Sequence, residues 1–79
     1  MIEVGQVFKK VVIVAILDLG LLVELEQKNA LIHFSRVPEC KSGDDLAKKF
    51  QKGNKLSKVK VVEIFSQDVI KVKCECLEI

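Results

Sequence analysis

One histidine, three cysteines and a cluster of lysines are the side chains through which this 79-residue chain could do chemistry. Cys74 and Cys76 are separated by a single residue, and Cys40 and His33 would have to complete any tetrahedral metal set. Paired zinc ligands are usually two or more residues apart, because a turn must fold both onto one ion. A pair at i and i+2 in an extended segment instead lies along one face of a strand. The expectation is three reduced thiols, with no metal and no other cofactor. An odd set of cysteines is not a disulfide framework either, which points to a reducing, intracellular compartment such as the cytoplasm. His33 has no nucleophile beside it in a recognisable motif, and no glycine-rich phosphate loop is present. The chemistry expected is binding rather than catalysis.

The lysines are unevenly spread. Lys41, Lys48, Lys49, Lys52, Lys55, Lys58 and Lys60 fall within residues 41–60, opposed there only by Asp44 and Asp45. That stretch carries +5 in a chain whose total is +2. Such a concentration is what a phosphate-tracking surface needs, and it equally keeps a small domain in solution. The 49% hydrophobic and 30% charged fractions are those of a folded chain, and 79 residues hold one core, so residues 1–79 are read as a single domain. The apolar run Val11 to Leu17 is seven residues, far short of the ~20 that cross a membrane as a helix. Glu3 and the lack of a small-residue cleavage site argue against a leader peptide.

Five extended segments would have to position these groups. Residues 4–17 are dense in Val and Ile and read as a first strand. Asp18-Leu19-Gly20 reads as a turn, with Gly20 free to take positive φ. Leu21–Leu25 is a second strand, Gln27-Lys28-Asn29 a second turn and Ala30–Phe34 a third strand. Ser42–Asp45 offers helix caps, Leu46, Ala47 and Phe50 form one apolar stripe, and Gly53 stands where a left-handed residue would end the helix. Leu56, Val59, Val61 and Ile64 mark the inner face of a fourth strand. Gln67-Asp68 turns the chain into a fifth, where Ile70, Val72, Cys74 and Cys76 alternate with Lys71, Lys73 and Glu75. Five strands with a short helix between the third and fourth give an all-β, five-stranded Greek-key barrel of the OB type.

These segments resemble the ribosomal S1-type RNA-binding domain, as found in polynucleotide phosphorylase and ribosomal-RNA processing factors. Val4-Gly5-Gln6-Val7 matches its opening G-x-V, and Asp18-Leu19-Gly20-Leu21-Leu22-Val23 its D-F-G-x-F-V. Ala30-Leu31-Ile32-His33-Phe34-Ser35 matches G-L-x-H-x-S. Phe50-Gln51-Lys52-Gly53-Asn54-Lys55-Leu56 matches F-x-x-G-D-x-V, and Val59 to Ile64 the strand after it. The resemblance spans residues 4–76. It implies single-stranded RNA as partner with low sequence specificity, in an accessory module for RNA processing, degradation or translation. It also implies an RNA face in which bases stack on aromatic side chains while cations follow phosphates. His33 keeps its family position, whereas Leu19 and Leu22 occupy the two aromatic ones. Phe65 and Val69 stand at the Asp and Arg positions, and Lys73 at a Ser. The RNA-binding set so read is His33, Leu19, Leu22 and Phe65 toward bases, with Lys48, Lys49, Lys52, Lys58 and Lys60 toward the backbone.

A second reading belongs to a different class. Val11 to Leu17 contains no polar residue, so the outer face of the first strand would be apolar as well as the inner one. Such a face marks a contact surface, covered by the middle of this chain, by a protein partner or by a second copy. On this reading Leu19 and Leu22 dock a partner or drive self-association.

Overall fold

The computed structural model describes residues 2–65 and 72–79. Five strands close a barrel in the order β1-β2-β3-β5-β4: β1 (Val7–Leu17), β2 (Gly20–Leu25), β3 (Lys28–His33), β4 (Lys55–Ile64) and β5 (Val72–Glu78). A 3-10 turn (Phe34–Arg36) and a short helix, α1 (Gly43–Lys49), stand between β3 and β4. Every pairing is antiparallel except β3 with β5. This is the expected five-stranded barrel, consistent with an OB-fold, and closure leaves no strand edge open to pairing.

Alternation supplies the core. Val11 and Ile13 of β1, Leu21, Val23 and Leu25 of β2, and Ala30 and Ile32 of β3 point inward. They meet Leu56, Val59 and Val61 of β4 and Val72, Cys74 and Cys76 of β5. Leu46 of α1 is fully buried with them. A seven-residue helix is too short to persist alone, so this one anchor, worth roughly 1.5–3 kcal/mol, holds it in place.

The apolar run of β1 has a local explanation. A bulge between Ile13 and Ala15 shifts the phase of the strand, so that Ile16 packs on the core two residues after the break. The start of α1 covers part of the remainder. A Cβ at Gly43 would fall 1.7 Å from the carbonyl oxygen of Asp18, so the helix approaches the β1–β2 turn as closely as glycine allows. Val12 and Leu17 stay exposed on the outer face.

Several local expectations are corrected. β1 begins at Val7 rather than Val4, after a turn in which the Gly5 amide donates to Val61 O. Gly20 does not adopt positive φ; its missing side chain admits the β3 backbone instead. The second turn is Glu26–Gln27, both residues at positive φ (48° and 70°), and β3 starts at Lys28 and ends at His33. Those dihedrals belong to the mirror-image turns that match strand twist, here without the usual Asn or Gly. No side-chain cap forms at Ser42; Asp45 accepts from the Lys41 amide at 2.8 Å. Helix α1 ends at Lys49 with Phe50 extended, and Gly53 (φ +93°) serves the tight 51–54 turn into β4. Ala47 is exposed rather than part of an inner stripe. Ile64 is 42% exposed at the last position of β4, although the register shift between Val61 and Glu63 sets it opposite the buried Val72. The expected turn at Gln67-Asp68, together with Val69, Ile70 and Lys71, lies outside the described residues.

Candidate nucleic-acid interface

Register builds one outer surface from residues far apart in sequence. Ala15 pairs with Leu22, Leu22 with Leu31, Leu31 with Lys73 and Lys73 with Glu63. All five sit on the outward side of their strands, giving a belt that is apolar on β1, β2 and β3 and charged on β5 and β4. One step along β3 on the same face stands His33, opposite Gly20.

The end of β3 is tightly organised. The imidazole Nδ1 of His33 accepts from the Ser35 amide at 3.2 Å and lies 2.8 Å from Ser35 Oγ, capping the 3-10 turn. A backbone amide can only donate, so the proton of the neutral ring sits on Nε2, where it remains available as a donor. Phe34 stacks at a tilt on this ring, with centroids 4.2 Å apart. The Phe34 amide donates to Leu19 O at 3.0 Å, which ties the β1–β2 turn to the same corner.

Beside this corner is a cleft of about 280 Å³ lined by Leu31, His33, Ser35, Arg36, Glu63, Lys73 and Cys74. The Lys73 ammonium lies over the Phe65 ring, 4.9 Å from its centroid. That is a cation–π contact, worth roughly 0.5–1 kcal/mol at an exposed site. Register, turn and ring contact thus gather Leu19, Leu22, His33 and Phe65 around one corner. Leu19 is 62% exposed there, while Leu22 is half-buried in the belt.

The five lysines expected to follow a phosphate backbone are not gathered at the cleft, and none lines it. Lys48 and Lys49 occupy the last turn of α1, and Lys49 is engaged by Glu39. That contact holds the Glu39 carboxyl below its ordinary range, through the hydrogen bond and then the charge of Lys49. Lys52 belongs to the turn before β4. Lys58 is 3.7 Å from Glu78, and Lys60 pairs in register with Glu75. Lys58 also stands opposite Lys9, so β1 and β4 share a second cationic surface. Sequence reasoning missed Arg36 and Lys73 as the cations of the cleft. The signals were present: Arg36 follows His33-Phe34-Ser35 directly, and the alternation of Val72, Cys74 and Cys76 puts Lys73 outside.

The cysteines are structural. All three are free and buried, and burial pushes the Cys74 thiol up to about 12 from an ordinary 9.0. Burial likewise raises the thiols of Cys76 and Cys40. These are inert thiols rather than nucleophiles. No helix among the described residues is long and apolar enough to cross a membrane.

The closed barrel, its strand order and the histidine corner at the end of β3 fit an OB-fold domain of the S1 type. Among solved structures, the solution structure of GSP13 from Bacillus subtilis is similar, with a TM-score of 0.67 and 26% identity over 96% of this chain. The chain spans 56% of that protein's length. No family model and no curated protein sequence matches it.

Proposed function

We propose that the chain is a binding module for single-stranded RNA, acting through the histidine corner and its cleft with little sequence preference along the strand. The observation that carries this reading is the juxtaposition of the His33 Nε2–H donor, Arg36 and Lys73 with the apolar belt of Leu31, Leu22 and Ala15. Cations hold phosphates, and apolar faces receive unstacked bases. Leucine offers no π-face, so Phe65 beneath Lys73 and Phe34 on His33 supply the aromatic surface that Leu19 and Leu22 lack. The surfaces carrying Lys48, Lys49, Lys52, Lys58 and Lys60 would steer and retain the backbone beyond the cleft. In a longer protein, such a module would serve RNA processing, degradation or translation by holding substrate near a catalytic partner. The test is a chemical-shift titration of labelled protein with a short single-stranded RNA. Shifts centred on Leu31, His33, Arg36 and Lys73 support the reading, whereas shifts confined to α1 and β4 contradict it.

A second reading rests on the outer face of β1, where Val7 and Val12 are 45% and 39% exposed beside Leu17 and Leu19. That face would dock a protein partner or a second copy of the chain. Light scattering separates the two readings: Leu19→Asp dissociates a dimer if this face is the functional one and leaves a monomer unchanged if it is not.

A further inference from the structure

We infer that the cleft between β3, the 3-10 turn, β4 and β5 is a guanine pocket, so that one position of a bound RNA is selected by base. This rests on the RNA-binding reading. A site built only for phosphate would be lined by cations, yet Glu63 lines this one alongside Arg36 and Lys73. A carboxylate there repels phosphate and accepts hydrogen bonds only. Among the described residues the Glu63 carboxylate enters no ion pair or side-chain hydrogen bond, so both of its oxygens are open. Lys73, its register neighbour, carries its ammonium over Phe65 instead of closing onto Glu63.

The ligand that fits must therefore bring two donors to Glu63 and acceptors to His33 Nε2–H, Arg36 or Lys73. Guanine does so: N1–H and the N2 amine are adjacent donors, followed on the same edge by the O6 acceptor, with N7 beyond it. Adenine and cytosine each present one amine next to ring acceptors. Uracil presents one imino N–H between two carbonyls. Only guanine engages both carboxylate oxygens and a neighbouring cation at once. The cleft's volume of about 280 Å³ is just below the ~300–1,000 Å³ of typical small-molecule sites, which suits one base rather than a stack. Leu31 provides an apolar surface for the ring face.

The test uses U-rich single-stranded 10-mers that differ at one central position (G, A, C or U), titrated into the whole chain and into Glu63→Gln. Glu63 is exposed, so the variant should melt like the parent, and a circular-dichroism melt checks this. The expected result is about tenfold tighter binding of the G-containing strand, within the range for one bidentate base contact. Glu63→Gln should erase that preference, so that the G-containing and all-U strands bind the variant equally. Equal binding of all four strands, or a preference that survives Glu63→Gln, overturns the guanine assignment while RNA binding stands. Failure of every strand to bind at low salt overturns the RNA reading itself, and this inference with it.

Discussion

Gly20→Ala should break the barrel at the corner that holds the candidate site. Gly20 opens β2 opposite His33, and a Cβ there would lie 2.3 Å from Ile32 O, 3.0 Å from Ile32 C and 3.1 Å from His33 Cα. All three are backbone atoms, so no rotamer change relieves the overlap. Reaching ordinary contact takes about 1 Å of separation between strands that normally run ~4.8 Å apart. A shift of that size stretches the local ladder hydrogen bonds out of range. Losing one or two of them costs about 0.5–1.5 kcal/mol each, and the residual overpacking adds about 1–3 kcal/mol. The total is roughly 2–5 kcal/mol. In a domain this small each kcal/mol moves the melting temperature by about 4–8 °C, so the drop should be at least about 8 °C. Gly53→Ala is the control: its φ of +93° is strained for alanine but nothing lies within 4 Å, so it should cost only about 1–2 kcal/mol. Thermal melts followed by circular dichroism measure both. A Gly20→Ala melt within about 3 °C of the parent, or Gly53→Ala as the more damaging change, would refute the close-approach reasoning.

Other consequences can be checked in parallel. Lys73→Gln should lower the dependence of log affinity on log salt by about 0.7 if that side chain neutralises one phosphate of a single strand, whereas Lys49→Gln should change it less because Glu39 already engages Lys49; equal slopes would dissociate the cleft from backbone binding. The raised thiol of Cys74 makes stability fall with alkali, since the unfolded chain releases that proton near pH 9 and the folded chain holds it until about 12. Stability present below pH 9 should therefore be lost between 9 and 12, at no more than about 1.4 kcal/mol per unit for this group. Urea titrations at stepped pH should show Cys74→Val flattening that slope, and an unchanged slope would contradict it. Leu22→Asp should weaken RNA binding without altering oligomeric state, because Leu22 lies in the belt between Ala15 and Leu31 rather than on the exposed edge of β1.

The barrel was legible because alternation is a property of consecutive residues. Leu21-Val23-Leu25 and Val72-Cys74-Cys76 disclose their inner faces without any tertiary knowledge. What failed were places where alternation breaks. The bulge at Ile13–Ala15 and the register shift at Val61–Glu63 rephase their strands, and spacing alone gives no sign that Ile64, opposite Val72, stays exposed at the end of β4. The Glu26–Gln27 turn carries neither Gly nor Asn, and Gly20 serves a close contact with the backbone of Ile32 and His33, 12 and 13 residues further on. The candidate site was half legible for the same reason. His33 was found by its motif and Arg36 follows it through the 3-10 turn, but Lys73 and Glu63 converge on them only through the β3–β5 and β4–β5 registers, which close after the whole chain is folded. The lysines of residues 41–60 were the loudest signal in sequence, and α1, the turn before β4 and β4 itself distribute them away from the cleft.

The most direct test of the central claim is a titration of the whole chain with a labelled ~10-nucleotide single-stranded RNA, at low and at physiological salt, with light scattering on the same sample. Binding by a monomer that weakens with salt, and weakens further in His33→Ala while the melting temperature holds, is the predicted result. Absence of binding at low salt, above all from a dimer or larger species, would contradict it and make the apolar face of β1 the functional surface.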